Sequence, residues 1–174
     1  KSCWRKSEFK IKWIEGSMKK RMTYQDKFEE AKAKSIFLPE EILKRKIVGV
    51  YGFFAIKGTK KYCFYIGKST NITSRLLKSG SGHVSNYLNG NNKKLVPRKI
   101  EEMLHLKDVD KIEVKILQEI DYRSEKFTIA AHRLALAELQ EIVKYQEKGQ
   151  CLEQLPEGVG DKEKKYWERN YGRN

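Results

Sequence analysis

The chain has 174 residues, with Lys+Arg 37 against Asp+Glu 23 and a net charge of +14. That length suits one decorated domain able to bury a core; no apolar run approaches a membrane span, and no signal-peptide pattern opens the chain. So large a positive excess leads us to expect an anionic partner, most simply nucleic acid bound with strong salt dependence, over the plainer alternative of a solvated lysine-rich surface.

In chain order, residues 1–46 form a distinct segment with 14 Lys/Arg and 7 Asp/Glu, a net of +7. Within it, Phe9-Lys10-Ile11-Lys12-Trp13 alternates like a short strand with one basic face. Residues 23–34 read as a helix capped by Thr23, with Asp26 three positions on. Pro39-Glu40-Glu41 opens another short helix.

Residues 47–57 and 61–66 are rich in Val, Ile, Phe and Tyr and read as strands, with Lys57-Gly58-Thr59-Lys60 as a hairpin turn. Alternation then allows Tyr51 and Tyr65 to stand on one face. Asn71 caps a helix to about Lys78, and Ser79-Gly80-Ser81-Gly82 ends it as a loop. A helix over 98–106 and a strand over 111–120 follow, then a long helix over 124–147, stopped by Gly149. The expected order is β-β-α-α-β-α, an α/β unit over 47–148. The tail, 149–174, holds five basic and five acidic residues, with Trp167 and Tyr171 expected to anchor it to the body or to a partner chain. Cys3, Cys63 and Cys151 are odd in number and lack CxxC spacing, so they suggest neither a disulfide framework nor a zinc site, and a reducing cytoplasm is the expected home.

Gly49-Val50-Tyr51, then Tyr65-Ile66-Gly67-Lys68-Ser69-Thr70-Asn71-Ile72, then Arg75 ten residues after Tyr65, resembles the GIY-YIG nuclease superfamily. Three further segments extend the resemblance over about 47–146. Gly82-His83-Val84-Ser85-Asn86 is similar to the Gly-x-His-Ser segment of homing members. Ile116-Leu117-Gln118-Glu119-Ile120-Asp121-Tyr122 is similar to their third strand, and Leu136-Ala137-Glu138 with Ile142 to their glutamate helix.

The resemblance implies a small mixed sheet of about three strands flanked by helices, and a divalent-metal phosphodiesterase. Tyr51 would sit by the attacking water as general base or relay, its phenol lowered from the usual pKa near 10 by nearby Lys, Arg and metal charge. Tyr65 would hydrogen-bond the water or the scissile phosphate, and Arg75 would clamp the phosphate. Glu138 would hold Mg²⁺, or another divalent cation such as Mn²⁺. Lys68 and His83 are second-rank catalytic candidates. Between Glu138 and Glu141 we prefer Glu138, because its i±4 neighbours Leu134 and Ile142 point its stripe toward the core. Three departures stand out: a longer hairpin, Ser79 four residues after Arg75, and no clear late Asn, for which Gln146, Gln150 and Gln154 are polar candidates.

The expected organisation is a basic arm over 1–46 for DNA binding and dimerisation, a catalytic domain over 47–148 and a tail over 149–174. That economy resembles the type II restriction endonucleases of the superfamily, working as homodimers on double-stranded DNA in the cytoplasm of a bacterial or phage-infected cell. Lys10, Lys12, Lys19, Lys20 and Arg21 are arm candidates for DNA contact. Lys93, Lys94, Arg98 and Lys99 form a second basic cluster, assigned to phosphate positioning. A low-specificity phage-type or homing-like endonuclease, or an inactive DNA-binding module of the same fold, are the alternatives.

Overall fold

The structure is a computed structural model that describes residues 21–156 and 160–172. The strand expected around Phe9–Trp13, and with it Lys10, Lys12, Lys19 and Lys20, lies outside the described residues.

Thr23 starts helix α1 (Tyr24–Ala33) through a capping box: its hydroxyl accepts from the Asp26 amide while the Asp26 carboxylate accepts from the Thr23 amide. Strand β1 (Ile36–Phe37) and helix α2 (Glu41–Lys44) follow. These elements do not stand apart as an arm. Phe28, Ala31, Ile36, Leu38 and Ile42 all enter the main core, and the buried Lys27 ammonium donates to Leu77 O at 2.7 Å and to Ser79 Oγ at 2.8 Å. Lys27 thereby satisfies a carbonyl at the negative end of the next helix but one, a favourable place for a cation.

The hairpin is β2 (Gly49–Lys57) and β3 (Lys60–Ser69), turning at Gly58 with φ 58°, a left-handed conformation that favours glycine. Helix α3 (Ile72–Leu77) is capped by Asn71, whose Oδ1 accepts from the Ser74 amide at 3.0 Å. Helix α4 (His83–Leu88) is an element the sequence does not predict, because six residues show no periodicity. Helix α5 (Leu95–Glu101) runs into a π-turn at Glu102–Leu106, followed by β4 (Lys111–Glu119), α6 (Phe127–Gln146) and α7 (Asp161–Asn170).

The sheet has four strands in the order β1-β4-β2-β3, one more than the resemblance implies. β1 is the addition, two residues pairing in parallel with β4, while β2 pairs antiparallel with both β3 and β4. One face carries Tyr51, Phe53, Ala55, Phe64, Ile112 and Val114 against Phe28, Leu76, Leu77, Val84 and Ile100 of the helices before β4. The other carries Val50, Phe54, Cys63 and Ile66 against Leu134, Ala137 and Ile142 of α6. The result is a three-layer α/β fold with β3 at an edge of the sheet. Among the described residues no helix is long and apolar enough to cross a membrane.

Candidate active site

Two glycines set the positions of the tyrosine strands. A Cβ on Gly49 would fall 2.1 Å from the Gln118 carbonyl oxygen, so only glycine lets β4 lie this close. A Cβ on Gly67 would fall 2.7 Å from the Tyr51 hydroxyl and 2.8 Å from Cζ. Gly67 is the register partner of Tyr51, and its bare backbone is what the Tyr51 ring lies across.

Tyr51, Tyr65 and His83 pack as a triangle of rings, with centroids 6.4 Å (Tyr51–Tyr65), 6.1 Å (Tyr51–His83) and 5.6 Å (Tyr65–His83) apart. Phe53 packs against all three, each centroid 6.1 or 6.2 Å from its own. The hairpin bulges between Phe53 and Phe54, so that Phe53 pairs with Tyr65 and Phe54 with Cys63. Phe64 is the extra residue, and both it and Tyr65 pack on the Tyr51 side of the sheet.

The Tyr51 hydroxyl lies 3.0 Å from His83 Nε2. Burial raises Tyr51 well above the usual phenol range, with Tyr65 adding to the rise and Arg75 opposing it. Tyr65 is raised by the same burial. This corrects the expectation that neighbouring cations lower Tyr51: the Arg75 charge acts in that direction, but desolvation is larger. His83 is lowered to about 3, first by burial and then by the charges of Arg75 and Lys94. Both partners of the hydrogen bond are therefore neutral near pH 7, and the His83 tautomer decides which one donates.

A second correction concerns which tyrosine faces outward. Tyr51 is 0 % exposed. Tyr65 is the phenol that lines a cleft of about 540 Å³, together with Lys68, Arg75, Lys99, Glu138 and the segment Glu153-Gln154-Leu155. Tyr51 and His83 form the layer behind it.

This cleft lies at the free edge of β3. Tyr65 and Arg75 come from the layer of the early helices, Lys68 and Glu138 from the opposite layer, and the two sets meet where no further strand separates them. The Lys68 ammonium pairs with Glu138 Oε2 at 2.6 Å, both side chains being mostly shielded from solvent.

Helical-face reasoning ranked the two glutamates of α6 in the wrong order of burial. Glu141 is 5 % exposed, accepts from Gln118 Nε2 at 2.9 Å, and its Oε2 has no hydrogen bond among the described residues. Glu138 is only half-buried, but it is the one in the cleft. The i±4 neighbours mislead because Leu134 and Ile142 are both buried, yet Glu138 between them is only partly so.

Of the basic candidates, Lys99 lines the cleft and its ammonium donates to Phe64 O at 3.3 Å. Lys94 donates to Gly80 O at 3.0 Å and is exposed, as are Arg21, Lys93 and Arg98.

Sequence reasoning missed the wall formed by residues 153–155, although it named the glutamines that hold it. Gln154 Oε1 accepts from the Ile66 amide at 3.0 Å, and its Nε2 donates to the Ile66 carbonyl. Gln150 Oε1 accepts from the Cys63 amide at 2.7 Å, and Gln146 Nε2 donates to Cys151 O and Gln154 O. Gln150 and Gln154 supply β3 with hydrogen bonds a neighbouring strand would give, and so cover part of an exposed edge. Comparisons with protein-family models, curated proteins and solved structures returned no match.

Proposed function

We propose that this chain is a metal-dependent DNA endonuclease of the GIY-YIG type, cutting double-stranded DNA at a specific site as a type II restriction enzyme does. One observation carries the reading: Tyr65, Arg75, Lys68 and Glu138, drawn from three elements and both layers, converge in one cleft with Tyr51 and His83 directly behind.

Each group has work suited to its surroundings. The Arg75 guanidinium binds the scissile phosphate and stabilises its added charge in the transition state, with Lys68 and Lys99 contributing positive potential. The Tyr65 hydroxyl, at the cleft surface, hydrogen-bonds the phosphate or the attacking water. Tyr51 fixes Tyr65 from behind, and its hydroxyl shares a hydrogen bond of 3.0 Å with His83 Nε2.

Among the described residues no group of three or more His, Cys, Asp or Glu could hold a metal ion. Mg²⁺ does not require such a group, since it keeps several waters and accepts a single carboxylate, and the oxygen donor Glu138 in an open polar cleft fits it. Held by Glu138, Mg²⁺ or Mn²⁺ would supply Lewis-acid stabilisation of charge on the phosphate.

Cutting both strands calls for two sites, most simply a two-fold homodimer. The outer face of α6 supports a protein contact of this kind, because Ile129, Leu136, Leu139 and Val143 are exposed there at spacings of seven, three and four. Lys93, Lys94 and Arg98 supply phosphate contacts, and the enzyme works in the cytoplasm.

The test is incubation of the protein with long phage DNA and Mg²⁺, alongside Glu138→Ala and an EDTA control. Discrete bands absent from both controls are expected. A metal-dependent smear would replace the restriction role with low-specificity cleavage. DNA that shifts on a gel but stays intact would overturn the enzyme reading.

A further inference from the structure

Cys63 and Cys151 are 88 positions apart in the chain, yet their sulfurs lie 3.4 Å apart. Both thiols are free and buried, and nothing in the proposed chemistry uses them. Cys63 belongs to β3, two residues before Tyr65. Cys151 belongs to the segment whose glutamines dock on that strand, and its Sγ lies 3.2 Å from Cys63 O. At φ 53° it adopts a left-handed conformation unusual for a residue with a side chain, so the segment holds a strained backbone where it presents this sulfur to β3.

We infer that Cys63 and Cys151 form a reversible oxidation site, whose disulfide fastens the segment 149–156, one wall of the cleft, to the tyrosine strand. The inference stands on its own geometry and does not depend on the nuclease reading.

The two sulfurs have unequal access. Cys63 is fully buried, whereas Cys151 lines a cleft of about 320 Å³ with Lys99 and Lys107. The neighbouring Cys63 thiol, and more weakly Lys99, lower Cys151, so its thiolate is the attacking group. With hydrogen peroxide as oxidant, the Cys151 thiolate attacks one oxygen and the O–O bond breaks. The departing hydroxide takes up a proton as water, leaving a sulfenic acid on Cys151. The Cys63 sulfur then attacks the sulfenic sulfur, and its thiol hydrogen leaves with the hydroxyl as a second water. Two thiols have lost two electrons and two hydrogens, and peroxide has become two waters. The sulfurs must close from 3.4 Å to a bond of about 2.0 Å.

The experiment uses the full chain in a Cys3→Ser background, treated with one equivalent of hydrogen peroxide and then with dithiothreitol. A mass loss of about 2 Da, a linked peptide pair containing residues 63 and 151, and a melting temperature raised by on the order of 10 °C are expected, all reversed by dithiothreitol. Cys63→Ser and Cys151→Ser should each abolish the mass loss. If either serine variant fails to fold, the reversible shift in the Cys3→Ser parent still decides. Addition of oxygen without a crosslink, or two thiols still open to alkylation after peroxide, would overturn the inference.

Discussion

The Tyr51 hydroxyl lies 3.0 Å from His83 Nε2, and the two residues bury each other behind the cleft. Each is held in its neutral form, Tyr51 by desolvation and His83 by desolvation with Arg75 and Lys94. The pair is a hydrogen bond between uncharged groups set behind the cations of the cleft.

This pair makes stability depend on pH in a defined direction. An unfolded histidine takes a proton near pH 6.5, whereas His83 in the fold does so only near about 3. Its contribution is complete above the unfolded value and is lost as pH falls through the window between the two. The loss over the whole window is on the order of 5 kcal/mol. Urea unfolding from pH 4 to 8 should give a His83→Gln curve flatter than that of the unsubstituted protein. Parallel curves would show that His83 does not titrate in this way.

Lys68 and Glu138 are close enough, and shielded enough, to be energetically coupled. Lys68→Met and Glu138→Gln with their double variant should yield a coupling free energy of about 1–2 kcal/mol, above that of an exposed pair. On the proposed nuclease function, either single change should lower DNA cleavage at least ~100-fold. Additive stability effects would mean the pair is not formed in solution.

Gly67 faces the Tyr51 ring at a distance no side chain tolerates. Gly67→Ala should destabilise the fold by about 1–3 kcal/mol, the cost of overpacking a core. Trimming the ring in Tyr51→Val removes the atoms a new methyl would strike. The double variant should therefore be less destabilised than the sum of the two single changes, as read by denaturant midpoints. Full additivity would place the strain elsewhere.

Gln154 stands in for a strand neighbour, so its loss should act locally. Gln154→Leu leaves the Ile66 amide and carbonyl without partners, at a cost of about 1–3 kcal/mol. Hydrogen exchange at Ile66 should accelerate while the amides shared by β2 and β4 keep their protection. Uniform acceleration across the sheet would mean the segment belongs to the global folding unit.

Much of this protein was legible in short windows of sequence. The Thr23 capping box, the Asn71 cap and the glycine turn at 58 all depend on residues a few positions apart. Interactions of that range are encoded where they act. The two-residue β1 and the six-residue α4 were not legible, because neither is long enough to show a period and both rest on distant packing.

Tertiary structure decided what lies next to what. β3 is an edge strand only because β4 pairs with β2 on its other side, and a cleft shared by both layers can open only at such an edge. The same non-local pairing buried Tyr51 behind Tyr65, exposed Glu138 more than Glu141, and brought Cys63 beside Cys151. Local sequence sets the shape and face of each element, but its neighbours are chosen by the burial of those faces over the whole chain.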